Sequence, residues 1–252
     1  EAKQAIHLYF EHRLPEDPEL RKSIILYECH LRLMKTFIQL SGHPQAYHAV
    51  GSCLAVSAWA YASQGGMNTR QAGEDFYFIH KFSKINQLEE LNTTAVLPSS
   101  RTSDRVPFGT GAAITKSMSG LQQLTYNPKS FELLKEFISG IPDLFNNNLS
   151  SLENLEEFNT EEILHKINEA QKHSTGVSSF TKRFLQYFDA FQIIKFLHYL
   201  RDKRNSDVHI EEAYRTLTNI LKIPPVNTIE EMLYHLRRLE KNNGEPIDTS
   251  RR

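Results

Sequence analysis

Residues 45–64 read QAYHAVGSCLAVSAWAYASQ and form the centre of the longest uncharged part of the chain. No Asp, Glu, Lys or Arg occurs between Lys35 and Arg70. The stretch is rich in Ala, Gly and Ser, which allow neighbouring backbones to approach closely where helices cross. We therefore predict a buried central helix of small residues at 45–64. The functional hypotheses below both assume this helix.

Helical patterns surround this stretch on both sides. Asp17 followed by Pro18 is typical of a helix start, and apolar residues recur every three or four positions from there to Leu40. The pattern predicts helices at 2–13, 18–40, 69–84, 112–126, 128–139, 161–173, 177–204, 209–222 and 228–242. The predicted fold is therefore all-α, an irregular multi-helix bundle.

The exception is the segment 92–110, which shows no helical period. A long irregular segment inside a compact domain is usually functional or mobile. We predict a long loop here, or a minor hairpin that pairs 93–97 with 105–108. The whole chain, 1–252, is predicted as a single helical domain, with possible subdomains at 1–91 and 111–245.

Composition narrows the possible partners and compartments. The 29 Lys and Arg residues nearly balance the 30 Asp and Glu residues, so no global charge favours nucleic acid. The polar residues in 45–64 argue against a membrane span. Two cysteines are too few for a disulfide scaffold or a four-cysteine zinc site. We predict free thiols in a reducing, cytoplasmic compartment. The Asn-rich helices of the second half have a general likeness to bacterial proteins delivered into host cells, without a shared motif.

The favoured functional hypothesis is a helical protein–protein interaction or regulatory domain. Its motivation is that no enzyme motif has the required spacing, whereas segment 92–110 carries two apolar clusters that contain proline. Such clusters on exposed loops are plausible anchors for another protein. The residues predicted to bind the partner are Val96, Leu97, Pro98, Arg101, Arg105, Val106, Pro107 and Phe108.

A weak anion site is predicted at the helix that follows this segment. Glycines near a helix start, followed by Lys and Ser, resemble the parts of a phosphate-binding loop. The Walker pattern itself is absent, since Thr110 and Thr115 occupy its two glycine positions. The residues predicted for this site are Gly109, Gly111, Lys116 and Ser117.

The alternative hypothesis is an enzyme, a hydrolase or transferase, that acts on an anionic or phosphorylated substrate. Its pocket would lie beside the central helix, and Arg101 or Arg105 would bind the anion. The histidines lack the i, i+3 or i, i+4 spacing of metal sites on helices, so neither a metal nor a cofactor is predicted. The residues predicted to surround this pocket are His43, His48, Glu74 and His80.

Overall fold

The structure, a computed structural model, describes residues 3–69, 73–100 and 123–242 and the single positions 111 and 115. These residues contain nine α-helices: α1 (Pro18–Leu40), α2 (Ala58–Ser63), α3 (Glu74–Lys84), α4 (Pro128–Leu144), α5 (Thr160–Lys172), α6 (Val177–Tyr187), α7 (Ala190–Lys203), α8 (Ile210–Leu221) and α9 (Ile229–Lys241). Short 3₁₀ helices lie at Gly51–Cys53 and Ser150–Leu155.

The predicted all-α fold class is wrong, because the structure also contains β-strands. β1 (Ala5–Phe10), β2 (Leu54–Val56) and β3 (Leu88–Val96) form a mixed sheet in the order β2-β1-β3. A second sheet pairs β4 (Leu124–Thr125) with β5 (Val208–His209). β1 replaces the helix predicted at 2–13, and its burial alternates as a strand requires.

The central helix predicted at 45–64 is also wrong. Its residues form irregular chain to Val50, a 3₁₀ turn, strand β2 and only then the six-residue helix α2. The backbone N–H of Gly51 donates to Asp75 Oδ2 at 3.1 Å, which holds the turn. β2 pairs antiparallel with β1, and Trp59 on α2 is 70% exposed. The stretch therefore completes a sheet and is partly hydrated.

The described part of the predicted loop, 92–100, is not a loose loop. Residues 92–96 belong to β3, which runs parallel to β1. The Val96 carbonyl accepts the backbone N–H of Glu11 at 3.0 Å, and the Ser100 hydroxyl donates to the Arg13 carbonyl at 2.7 Å. The other half of the predicted hairpin, 105–108, lies outside the described residues.

By its internal contacts the chain forms two compact units, and neither is continuous in sequence. The first comprises Glu1–Thr36, Tyr47–Thr125 and His209–Arg252, and the second Phe37–Ala46 and Tyr126–Val208. In the first unit, α2 and α3 pack on the sheet through Ala5, Ala60, Phe78 and Phe82.

The second unit has a core of phenylalanines carried by α4, α6 and α7. The rings of Phe137 and Phe188 lie 4.9 Å apart, and those of Phe184 and Phe188 are stacked. α4 continues through Gly140 and Pro142, where the sequence predicted its end. The single helix predicted at 177–204 is broken between α6 and α7, because the Asp189 side chain accepts the N–H groups of Phe191 and Gln192 and starts a new helix.

Among the described residues, no helix combines the length and the apolar character that crossing a bilayer demands.

Candidate functional site

β3 is a mostly exposed strand of the first unit. It lies at an edge of its sheet, and within the described residues it pairs only with β1. Leu8 pairs with Leu91 and Tyr9 with Ala95, so residues 92–94 form a bulge without partners on β1. Exposed residues dominate the strand, and Leu97 directly after it is 48% exposed. A long exposed edge strand can pair with another chain.

Two side chains of β3 fix the strand to helices. Glu90 accepts two hydrogen bonds from Lys35 Nζ on α1, at 2.7 and 2.9 Å. The Asn92 amide donates to the Glu240 carbonyl near the end of α9 at 3.2 Å. These contacts hold β3 from its packed side and leave most of its other side chains exposed.

Lys35 belongs to a buried ionic network that links α1, α9, β1 and β3. At one centre is Glu28, which is fully buried and accepts hydrogen bonds from Arg32 and Arg237. Glu28 Oε2 also accepts from the backbone N–H of His12 at 2.9 Å. Burial by itself would raise the pKa of the Glu28 carboxyl, but the bonds from Arg237 and the charge of Arg32 outweigh burial and hold this pKa below its usual 4.5.

Glu240 is the second centre of the network. One of its oxygens pairs with the Arg32 guanidinium, and the other accepts from Lys35 Nζ at 2.9 Å and His48 Nε2 at 3.0 Å. Burial opposes ionisation of Glu240, but His48 and the neighbouring cations hold its pKa well below 4.5. Arg32 also donates to the Phe10 carbonyl at 2.5 Å, which ties the network to β1.

His7 on β1 lies beside this network and is 2% exposed. Its ring centroid is 6.1 Å from that of His48. Burial, together with electrostatic interactions with His48 and Lys35, lowers the pKa of His7 from 6.5 to about 3, so the ring is neutral at physiological pH. Its Nε2 has no hydrogen-bond partner among the described residues.

The network is built for support rather than for proton transfer. Each buried carboxylate is already paired with at least two cations, so neither Glu28 nor Glu240 is available as a base. The sequence analysis missed this network. A signal was present, because Glu28, Arg32 and Lys35 have the i, i+4, i+7 spacing of one helix face. What the sequence did not show was that Arg237 and Glu240 provide the opposite charges.

The histidines of the enzyme hypothesis each have a separate partner. His48 binds Glu240, and His80 Nδ1 lies 3.1 Å from the Tyr47 hydroxyl. His43 belongs to the second unit, where it supports the backbone between α6 and α7. Glu74 lies in the first turn of α3. The enzyme hypothesis stays a prediction.

Most of the predicted anion site lies outside the described residues, namely Gly109, Lys116 and Ser117. Gly111 is described, and its carbonyl accepts the Thr115 hydroxyl at 3.0 Å. The predicted partner-binding residues Arg101, Arg105, Val106, Pro107 and Phe108 are also outside the described part. In that part, no group of three or more His, Cys, Asp or Glu side chains is arranged to hold a metal ion.

Comparison with known proteins found no matching family model, curated protein or solved structure.

Proposed function

We propose that this chain is a protein–protein interaction domain that binds an extended segment of a partner along the edge of β3. One observation carries the proposal: β3 spans nine residues at a sheet edge, mostly exposed, and leads into the exposed Leu97. A partner strand would pair its backbone with this edge and place an apolar side chain on Leu97. Binding along β3 does not require a central helix at 45–64.

The buried network supports this role physically. Strand addition costs less conformational entropy when the receiving edge is already rigid. Lys35 and Glu240 hold β3 at Glu90 and Asn92, so its edge is ordered before a partner arrives. Glu89 is exposed on β3, and we expect it to favour a partner segment with a basic residue.

The proposed compartment is the cytoplasm, which would keep thiols reduced. Cys29 and Cys53 are both free and buried. A regulatory role and delivery into a host cell remain proposals from the sequence, as does the absence of nucleic acid among the partners.

Two substitutions test binding at β3. We expect Thr94→Pro to weaken binding of a captured partner about tenfold or more, because proline removes a backbone donor from the edge. Leu97→Asp should weaken binding similarly, because it puts a charge in the apolar contact. The matched controls are Thr94→Val and Leu149→Asp, the latter at a leucine that is 42% exposed elsewhere.

The measurements are isothermal titration calorimetry and hydrogen–deuterium exchange with and without the partner. The proposal requires new protection of β3 amides and near-normal binding by both controls. Binding that survives both β3 substitutions, with protection confined to other segments, would refute it.

A further inference from the structure

A group of apolar side chains is exposed at one end of the three-stranded sheet. Trp59 on α2 is 70% exposed, and Tyr61 on the same helix is 45% exposed. Ile85, directly after α3, is 47% exposed. Trp59 is the only tryptophan of the chain. Large exposed side chains gathered in one place mark an interaction surface.

The register of the sheet places α2 and the end of α3 at the same end. Val56 and Leu88 both pair with Ala5, one from each side of β1. β2 leaves the sheet after Val56 and β3 enters it at Leu88. Trp59 follows Val56 by three residues and Ile85 precedes Leu88 by three, so both lie close in sequence to the end of the sheet that Ala5 marks. We call this surface, formed by residues 3–5, 57–63 and 81–87, the Ala5 end.

Charge at the Ala5 end has one sign. Its three ranges contain three lysines and neither Asp nor Glu. Lys81 Nζ donates to the carbonyls of Gln64 and Gly66, which closes the end of α2. Lys84 is exposed, and Lys3 is half-buried. The acidic residues of α3 lie in its first turn, at the opposite end of the helix.

We propose that the Ala5 end binds the surface of an anionic phospholipid bilayer. Trp59 and Ile85 enter the interfacial layer, where tryptophan is favoured because one part of its ring system is apolar and another is polar. Tyr61 lies two residues from Trp59 on α2 and faces another side of the helix, where its ring packs on Phe78 and its hydroxyl accepts the Met67 N–H at 3.2 Å. Lys84 contacts lipid phosphates, and Lys3, whose Nζ donates to the Asn86 carbonyl at 2.7 Å, adds to the positive charge. This membrane contact is separate from strand addition, because β3 leads away from the Ala5 end.

The composition around Trp59 favours a bilayer over a protein as the occupant. Protein interfaces are depleted in Ala and Ser, and α2 with its cap residue consists of these two residue types apart from Trp59 and Tyr61. A side chain as exposed as Trp59 needs a matching cavity in a protein partner. A bilayer interface accepts such a side chain without a preformed pocket.

The single tryptophan allows a direct test with the whole chain. We expect vesicles of phosphatidylcholine and phosphatidylserine to shift the Trp59 emission to shorter wavelength and to sediment the protein. Pure phosphatidylcholine vesicles should bind a smaller fraction of the protein, because they carry no net negative charge to attract the lysines. High salt should also reduce the bound fraction, because it screens the attraction between the lysines and the anionic lipid. The absence of both the shift and the sedimentation would overturn the proposal.

Variants locate the contact. Trp59→Ser and Ile85→Ser should each lower vesicle partitioning, the former about tenfold or more. Ile220→Ser is the matched control, since Ile220 is also 47% exposed but lies on α8; it should bind normally. Equal binding by Trp59→Ser and Ile220→Ser would contradict the proposal. So would an emission shift that follows protein concentration without vesicles, which would assign the surface to a second copy of the chain.

Discussion

Glu28 on α1 and Arg237 on α9 form a buried bidentate ion pair. Arg237 Nε donates to Glu28 Oε1 at 2.7 Å, and Arg237 Nη2 donates to Glu28 Oε2 at 2.9 Å. The two residues are 209 positions apart in sequence, so this pair fixes the last described helix against the first. Parallel hydrogen bonds between a guanidinium and a carboxylate define geometry as well as energy.

Loss of the Glu28 carboxylate should strongly destabilise the fold. We expect Glu28→Ala to lower the free energy of unfolding by about 3–5 kcal/mol, because Arg32 and Arg237 stay buried without their shared partner. Urea denaturation followed by circular dichroism measures the change. Glu230→Ala is the control: it removes a partly exposed pair with Arg21 and should cost at most about 1 kcal/mol. Equal losses of unfolding free energy in the two variants would show that the buried pair stabilises the fold no more than the partly exposed pair does.

The stability should depend on pH through His7. Its pKa is about 3 in the folded chain and 6.5 in the unfolded chain, so between these values only the unfolded state binds the proton. The contribution of His7 to the free energy of unfolding is therefore complete above about pH 6.5. It decreases as the pH falls towards 3, with a slope of at most about 1.4 kcal/mol per pH unit.

His7→Leu removes this titrating group and should make the stability less dependent on pH. Urea midpoints measured between about pH 7.5 and 4.5 give the slope. The exposed His173 is the control, and His173→Leu should keep the slope of the original chain. An unchanged slope in His7→Leu would mean that His7 is protonated in the fold.

His43 should stabilise the break between α6 and α7. Its Nδ1 accepts the N–H of Gln45 at 3.1 Å, so its Nε2 carries the proton and donates to the Phe188 carbonyl at 2.7 Å. We expect His43→Ala to cost about 1–3 kcal/mol, because both backbone groups lose a partner. Thermal unfolding measures the loss. His165→Ala, on the exposed side of α5, should be nearly neutral, and a similar loss there would argue against this role.

Gly140 should not tolerate a side chain, although alanine is the better helix former. A Cβ at this position of α4 would lie 2.4 Å from Ser151 Cβ. We expect Gly140→Ala to destabilise by about 1–3 kcal/mol through overpacking, against the gain of about 1 kcal/mol from helix propensity. At Gly176 a Cβ meets nothing within 4 Å, so Gly176→Ala should change the melting temperature little. A stabilised Gly140→Ala variant would contradict the close approach.

The sequence by itself determined the helices whose ends carry local signals. Asp17 accepts the Leu20 N–H at the start of α1, and Asn127 caps α4. Thr228 and Glu231 form a capping box at the start of α9. These signals are readable because cap and helix are neighbours in the chain, so the hydrogen bond and the apolar stripe lie in one short window.

Only the tertiary structure decided the strands, the route of residues 45–64 and the buried charges. The segment Ala5–Phe10 fits a helical period, but as β1 it pairs with β2 and β3, which lie about 50 and 80 residues further along the chain. In the sequence, Arg237 and Glu240 resemble charges on a solvated helix face. In the structure they pair with Glu28 and Arg32 of α1. Strand pairing and ion pairing join distant residues, and a local pattern does not contain the partner.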